Sequence, residues 1–168
     1  MARAGTRSGE VLTIRPIRPE DAAAHAEAFH RLDPEDVRRR FFSPLKEMSP
    51  ALVARLTQID YDREMAFIAT RRSATGAEET VGVARLIREP GAPAAEFAVV
   101  VEQAMKGQGV GRHLMERLFD WGRSVGVQEV AGHVLADNRP MLAFVRGLGF
   151  GLKRSAEEEE VMEARLSL

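Results

Sequence analysis

The chain contains no cysteine. That one absence removes disulfide frameworks, thiolate zinc sites and cysteine nucleophiles together. An excess of charge is missing as well, since 24 basic and 25 acidic side chains among 168 residues leave a net −1. Proteins that coat nucleic acid are usually strongly basic, so nucleic acid is not an expected partner. No apolar run approaches the roughly 20 residues that a membrane span needs. Residues 1–9 are polar, with no hydrophobic stretch after their arginines, so they read as a disordered lead-in rather than a secretory signal. The four histidines, His25, His30, His113 and His133, show no H-E-x-x-H or other metal spacing. They read as surface or helix residues, His113 being the one placed to touch a phosphate, and no metal is expected. With 45% apolar and 29% charged residues a packed core is affordable. The expectation is a cytoplasmic globular protein with one domain over residues 10–168.

Charge is sorted along the chain. Residues 1–100 hold 15 basic and 15 acidic groups, residues 101–154 hold eight and five, and the last 14 residues hold one and five. The basic segment is also the glycine-rich one. Apolar spacing predicts strands at 11–17, 65–70, 81–87, 95–101, 129–135, 150–153 and 161–166. Helices are predicted from Pro19, Pro34 and Pro50, where proline or acidic residues suit a first turn, and at 110–125 and 138–147. Turn-rich connectors at 73–77 and 89–93 make the middle three strands an antiparallel meander. The order is that of one mixed α/β domain.

The informative stretch runs from Ala95 to Arg112. A strand enters the turn Lys106-Gly107-Gln108-Gly109, which passes directly into a helix beginning Val110-Gly111-Arg112. Glycines let backbone amides approach a ligand closely. Amides at a helix N-terminus, aided by the dipole, form an anion site. Lys106 and Arg112 add positive charge, so a phosphate or pyrophosphate is the expected ligand. Two common phosphate motifs fail here. The Walker loop G-x-x-x-x-G-K-[ST] is absent, and the dinucleotide fingerprint G-x-G-x-x-G meets Arg112 or Leu114 where its last glycine belongs. A basic-x-x-G-x-G pattern remains. A glycine turn that merely admits a helix against the sheet is the competing reading.

These residues resemble motif A of the GNAT N-acetyltransferases, [Q/R]-x-x-G-x-[G/A], with Lys106 in place of the commoner Gln or Arg. The segment Asn138-Arg-Pro-Met141 through Leu148-Gly149-Phe150 resembles the next family motif. Arg40-Phe41-Phe42, the run from Gln58 to Ala66, Gly82-Val83-Ala84-Arg85 and Ala95-Glu96-Phe97-Ala98-Val99 resemble the acetyltransferase domain of Pat-type bacterial protein lysine acetyltransferases. The resemblance implies a GNAT fold: a mixed, mostly antiparallel central sheet flanked by helices and splayed between the fourth and fifth strands. It implies acetyl-CoA as acyl donor, held by Ala98, Val99 and Val101, by Lys106, Gly107, Gln108, Gly109, Val110, Gly111 and Arg112, and by Asn138 and Met141. It implies a protein lysine as acceptor, with acyl-CoA synthetases as the family's targets. The position where many relatives carry a tyrosine acid holds Val145, and the single tyrosine, Tyr61, lies in another segment.

Acyl transfer to a lysine requires its neutral amine. With a pKa near 10.4 about one lysine in a thousand is neutral at physiological pH, a deprotonation cost on the order of 4 kcal/mol. A positioned carboxylate can take that proton. Glu96 is the one acid within an otherwise apolar strand, sharing a face with Ala98 and Val100. Burial among such neighbours would raise its pKa and strengthen it as a base. The alternatives are an edge glutamate facing water, or a partner for Arg85. The resemblance assigns this glutamate as general base. Asp60, Asp62, Arg63 and Glu64 read either as lining an acceptor-lysine entrance or as a salt-bridged turn. Arg38, Arg39 and Arg40 read as a solvated helix face, with contact to an acidic partner or to the coenzyme's phosphate as the alternative, and 157–160 as a solvated loop, with recognition of a basic target as the alternative. Transfer to a small amine, or acyl-CoA sensing without catalysis, remains open at this level.

Overall fold

The computed structural model describes residues 2–42 and 45–168. Its strands are β1 (Ala2–Gly5), β2 (Val11–Pro16), β3 (Glu64–Arg72), β4 (Glu78–Arg88), β5 (Ala94–Val101), β6 (Glu129–Leu135), β7 (Gly151–Arg154) and β8 (Val161–Ser167). The helices are α1 (Ala22–His30), α2 (Pro34–Phe41), α3 (Pro50–Thr57), α4 (Val110–Ser124) and α5 (Arg139–Gly147). The strands form one sheet in the order β1-β2-β3-β4-β5-β6-β8-β7. Every neighbouring pair is antiparallel except β5 and β6, which run parallel. This is the mixed, mostly antiparallel sheet expected. None of the described helices is long and apolar enough to cross a membrane.

One expectation is corrected. Residues 2–5, read as disordered lead-in, pair with β2 in register Ala2↔Ile14 to Gly5↔Val11. The segment is short and polar, so nothing in its own sequence marks it. Its order comes from the free edge of β2, and Ala4 is buried there. With this strand added, the expected splay falls between β5 and β6.

Helix starts follow their local chemistry. Asp33 accepts a hydrogen bond from Glu35 N–H at 2.8 Å and Ser49 accepts one from Leu52 N–H at 3.1 Å, each ahead of a proline at the first helical position. Asn138 caps α5 by accepting from Met141 N–H at 3.3 Å. On one sheet face α4 buries Leu114, Met115 and Leu118 against Phe67, Leu86, Phe97 and Val130. The other face buries Ile17, Ala66, Ile68 and Val83. There the Arg85 guanidinium, on β4, donates to Leu56 O of α3 at 2.8 Å and to Glu64 on β3 at 2.7 Å.

The parallel β5–β6 pairing covers only Ala94↔Glu129, Ala95↔Val130 and Glu96↔Ala131. The next pair in register would be Phe97 with Gly132. There a β-carbon on Gly132 would meet the Phe97 ring at 2.4 Å. The ring occupies the space of the missing side chain, and beyond it the two strands diverge.

Candidate active site

The divergence opens a cavity of about 640 Å³. Its walls come from β5, the β5–α4 loop, the start of α4, β6, the start of α5 and the last turn of α2. Glu96, Ala98, Val99, Val101, Lys106, Gly107, Gly109, Val110, Gly111, Arg112, Asn138 and Met141 all line it. Gln108 does not line the cavity. Its side-chain carbonyl accepts from Ser8 N–H at 2.9 Å, tying the N-terminal turn to the glycine loop.

The loop is shaped to present amides. Gly107 and Gly109 have φ of 77° and 87°, conformations that disfavour other residues, and nothing lies within 4 Å of where a β-carbon would stand. Gly109 occupies the cap position of α4 and contributes no capping side chain. The first N–H groups of a helix lack partners inside it, and those of Val110, Gly111 and Arg112, residues that line the cavity, have no side-chain cap. Arg112 is half exposed and donates to Gly147 O at 3.1 Å. Lys106 differs from the free cation expected: its Nζ lies 2.6 Å from Oδ1 of Asp36, which is buried and whose Oδ2 has no partner among the described residues. Lys106 is thus partly neutralised by Asp36, whereas the uncapped start of α4 keeps the positive end of its dipole toward this side.

Glu96 is corrected on one point. It faces the cavity, but its side chain is 68% exposed, so the argument from burial does not apply to it. It does not pair with Arg85, which Glu64 holds. Its neighbour is His133, whose Nδ1 lies 3.7 Å from Glu96 Oε1. His133 is exposed, as expected, and it also lines the cavity. The other ionisable acid on the wall is Asp36, already bonded to Lys106. That leaves Glu96 as the cavity carboxylate without an arginine or lysine partner among the described residues.

The remaining expectations divide. Asp60, Asp62, Arg63 and Glu64 line no part of the cavity and form a bonded turn, with Arg63 N–H donating to Asp60 O and Glu64 taking Arg55 and Arg85. Val145 is wholly buried, and the Tyr61 hydroxyl donates to Ile17 O, away from the cavity. Burial pushes the Tyr61 phenol up. Arg40, read as part of a solvated face, stands in the cavity wall, as do Arg39 and Arg7. No local pattern separates these three from other surface arginines. They reach the cavity through tertiary packing of α2 and of the N-terminal turn.

The family model for the Acetyltransferase (GNAT) family matches residues 28–150, from α1 to the end of α5 and the residues after it. The protein belongs to the GNAT acetyltransferase family. An acetyltransferase of Pseudomonas aeruginosa is 32% identical over 95% of this chain and 86% of its own length. Acetyltransferase Pat of Mycolicibacterium smegmatis is 32% identical over 85% of this chain, which spans 42% of that protein. The crystal structure of the GNAT domain of S. lividans PAT superposes with a TM-score of 0.91 at 27% identity, covering 99% of this chain and 96% of that domain. This GNAT acetyltransferase accordingly depends on acetyl-CoA, which supplies an acyl group activated as a thioester. The cavity's residues fit that molecule: open helix amides and positive φ glycines suit an anion, and an apolar fork beside them suits an uncharged arm.

Proposed function

We propose that this acetyltransferase transfers the acetyl group directly to the side-chain amine of a lysine in another protein, in the cytoplasm, with Glu96 as general base. The observation that carries the reading is the position of Glu96 at the fork of β5 and β6, on the cavity wall, beside His133 and without an arginine or lysine partner among the described residues. An acceptor amine entering on this side gives its proton to the carboxylate, directly or through one water. The amides of Val110, Gly111 and Arg112 hold the pyrophosphate of acetyl-CoA, and Lys106, Gly107, Gln108 and Gly109 shape the loop that presents them. Ala98, Val99 and Val101 line its course along β5, and a backbone amide of Val99 or Val100 faces the carbonyl oxygen as charge develops there. Asn138 and Met141 bound the arm at the head of α5. The likeness to Pat-type domains supports a protein acceptor, and acyl-CoA synthetases are the class of target that likeness suggests.

Glu96→Gln should lower kcat by about 10²–10⁴-fold while acetyl-CoA still binds. Full activity in that variant on a confirmed acceptor would remove Glu96 from the mechanism. Incubation of cell lysate with acetyl-CoA and enzyme, followed by mass spectrometry, should reveal new acetyl-lysine. Its absence, with acetylation of a small amine instead, would overturn the protein acceptor.

A further inference from the structure

Helix α2 carries three consecutive arginines, and their surroundings differ. Arg38 bonds Glu35 and Asp137, the latter at 3.0 Å. Arg39 Nε lies 3.4 Å from Glu35. Arg40 has no carboxylate or carbonyl partner among the described residues; its guanidinium lies 4.8 Å from the ring centroid of Phe41. Phe41 packs edge-on against Phe29 of α1, at 6.2 Å between centroids, so the ring beneath the cation is itself packed on α1. Arg40 is half-buried, as Arg38 and Arg39 are, but alone of the three it has no acidic partner among the described residues. Burial pulls its guanidinium down to about 10, with Arg85 adding to the effect while Glu96 and Glu64 oppose it.

Its position separates it from the pyrophosphate cradle. A second cavity of about 40 Å³ lies behind the first, and Arg40, Phe41, Ala98 and Val100 line both. Ala98 and Val100 share the Glu96 face of β5. Lys106, Gly109 and Arg112 line the large cavity alone. Arg40 therefore stands on the face where Glu96 points, at the wall between the two spaces. A partly desolvated cation without a counter-ion is costly to keep and gains most from an anion delivered to it. Neither carboxylate that bears on it bonds it: Glu64 is committed to Arg55 and Arg85, and Glu96 lies beside His133.

We infer that Arg40 is a specificity-determining residue that receives a carboxylate of the acceptor, so that lysines with an aspartate or glutamate close by in the chain are preferred. This rests on the protein-lysine reading above. A guanidinium takes a carboxylate through two parallel N–H donors, a geometry that lysine cannot reproduce.

The test uses blocked pentapeptides with a central lysine and Asp, Ala or Arg at each flanking position, with acetyl-CoA as donor. For the unmodified enzyme, kcat/KM on the best acid-flanked peptide should exceed that on its alanine counterpart by about 10–100-fold. Arg40→Gln should bring this ratio near one, and Arg40→Lys should restore only part of it. Arg40→Glu should reverse the preference toward arginine-flanked peptides, and thermal melts of each variant report whether the fold is kept. An equal ratio in the unmodified enzyme, or a ratio that survives Arg40→Gln, overturns the inference while leaving the acceptor reading intact. So does a tenfold loss of acetyl-CoA affinity in Arg40→Gln with the peptide ratio unchanged, which would assign the cation to the donor. If no lysine is acetylated in any peptide or protein, the acceptor reading fails and Arg40's assignment falls with it.

Discussion

Gly132→Ala examines the wedge that opens the active-site fork. An alanine β-carbon at this position would stand 2.4, 2.7 and 3.0 Å from Cε1, Cδ1 and Cζ of Phe97. Carbon atoms settle at about 3.5–4.0 Å, so the ring must retreat by roughly 1 Å. Little space receives it. Phe97 is buried, the Phe150 ring lies 5.1 Å away between centroids, and Phe119 backs Phe150 at 6.1 Å. Overpacking of this kind costs about 1–3 kcal/mol. For a chain of this size that corresponds to a fall in Tm of roughly 2–12 °C. Urea unfolding followed by circular dichroism measures the loss. The reasoning also requires coupling: Phe97→Leu destabilises alone, yet combined with Gly132→Ala the total should fall short of the summed losses by at least about 0.5 kcal/mol. Gly132→Ala within 0.5 kcal/mol of the unmodified protein, or strict additivity of the pair, would refute the wedge.

Three other outcomes are expected, each from a buried group. Burial pulls His25 down to about 4 from the ordinary 6.5, so the folded state resists a proton that the unfolded chain accepts. Stability should therefore fall as pH drops from 6.5 toward 4, by about 3 kcal/mol from this residue, and be indifferent to it above 6.5. Subtracting the pH profile of His25→Leu from that of the unmodified protein isolates this slope, and a flat difference would contradict it. Glu64→Gln strips the buried Arg85 guanidinium of its carboxylate and should cost about 3–5 kcal/mol in denaturant unfolding, most of it recovered when Arg85→Met is added. Asp36→Ala should release Lys106 and alter the acetyl-CoA KM more than kcat, which steady-state kinetics will show.

The part of the site legible in the sequence was the part contiguous in it. Glu96 to Arg112 passes from strand to glycine turn to helix in 17 residues, and alternation, positive φ glycines and helix-start chemistry are local signals. The strand and helix pattern from residue 11 onward was legible for the same reason. What reaches the cavity from afar was not. Arg40 and Asp36 come from α2, more than 50 residues before the loop, and Arg7 from the N-terminal turn. Arginine-rich helical turns usually face solvent alone, and only the tertiary packing of α2 brings one side of this half-buried turn into the cavity wall. His133 carried no motif, because its role follows from which strand lies beside β5. Glu96 shows the opposite failure. Apolar neighbours in sequence suggested burial, but those neighbours serve the other face and the second strand edge, and the fork leaves the carboxylate open to solvent.

The fork also leaves a sheet edge inside the protein. Alternate residues of β5 aim their N–H and C=O groups away from β4, and past Glu96 no strand among the described residues receives them. If the arm of acetyl-CoA lies along β5 as proposed, its own amides would take the part of the absent strand there, and the donor would complete the sheet as well as fill a cavity. Hydrogen exchange at these backbone amides should slow on addition of acetyl-CoA, while amides paired to β4 stay as they were. Occupancy could then be followed strand by strand in an enzyme that turns nothing over.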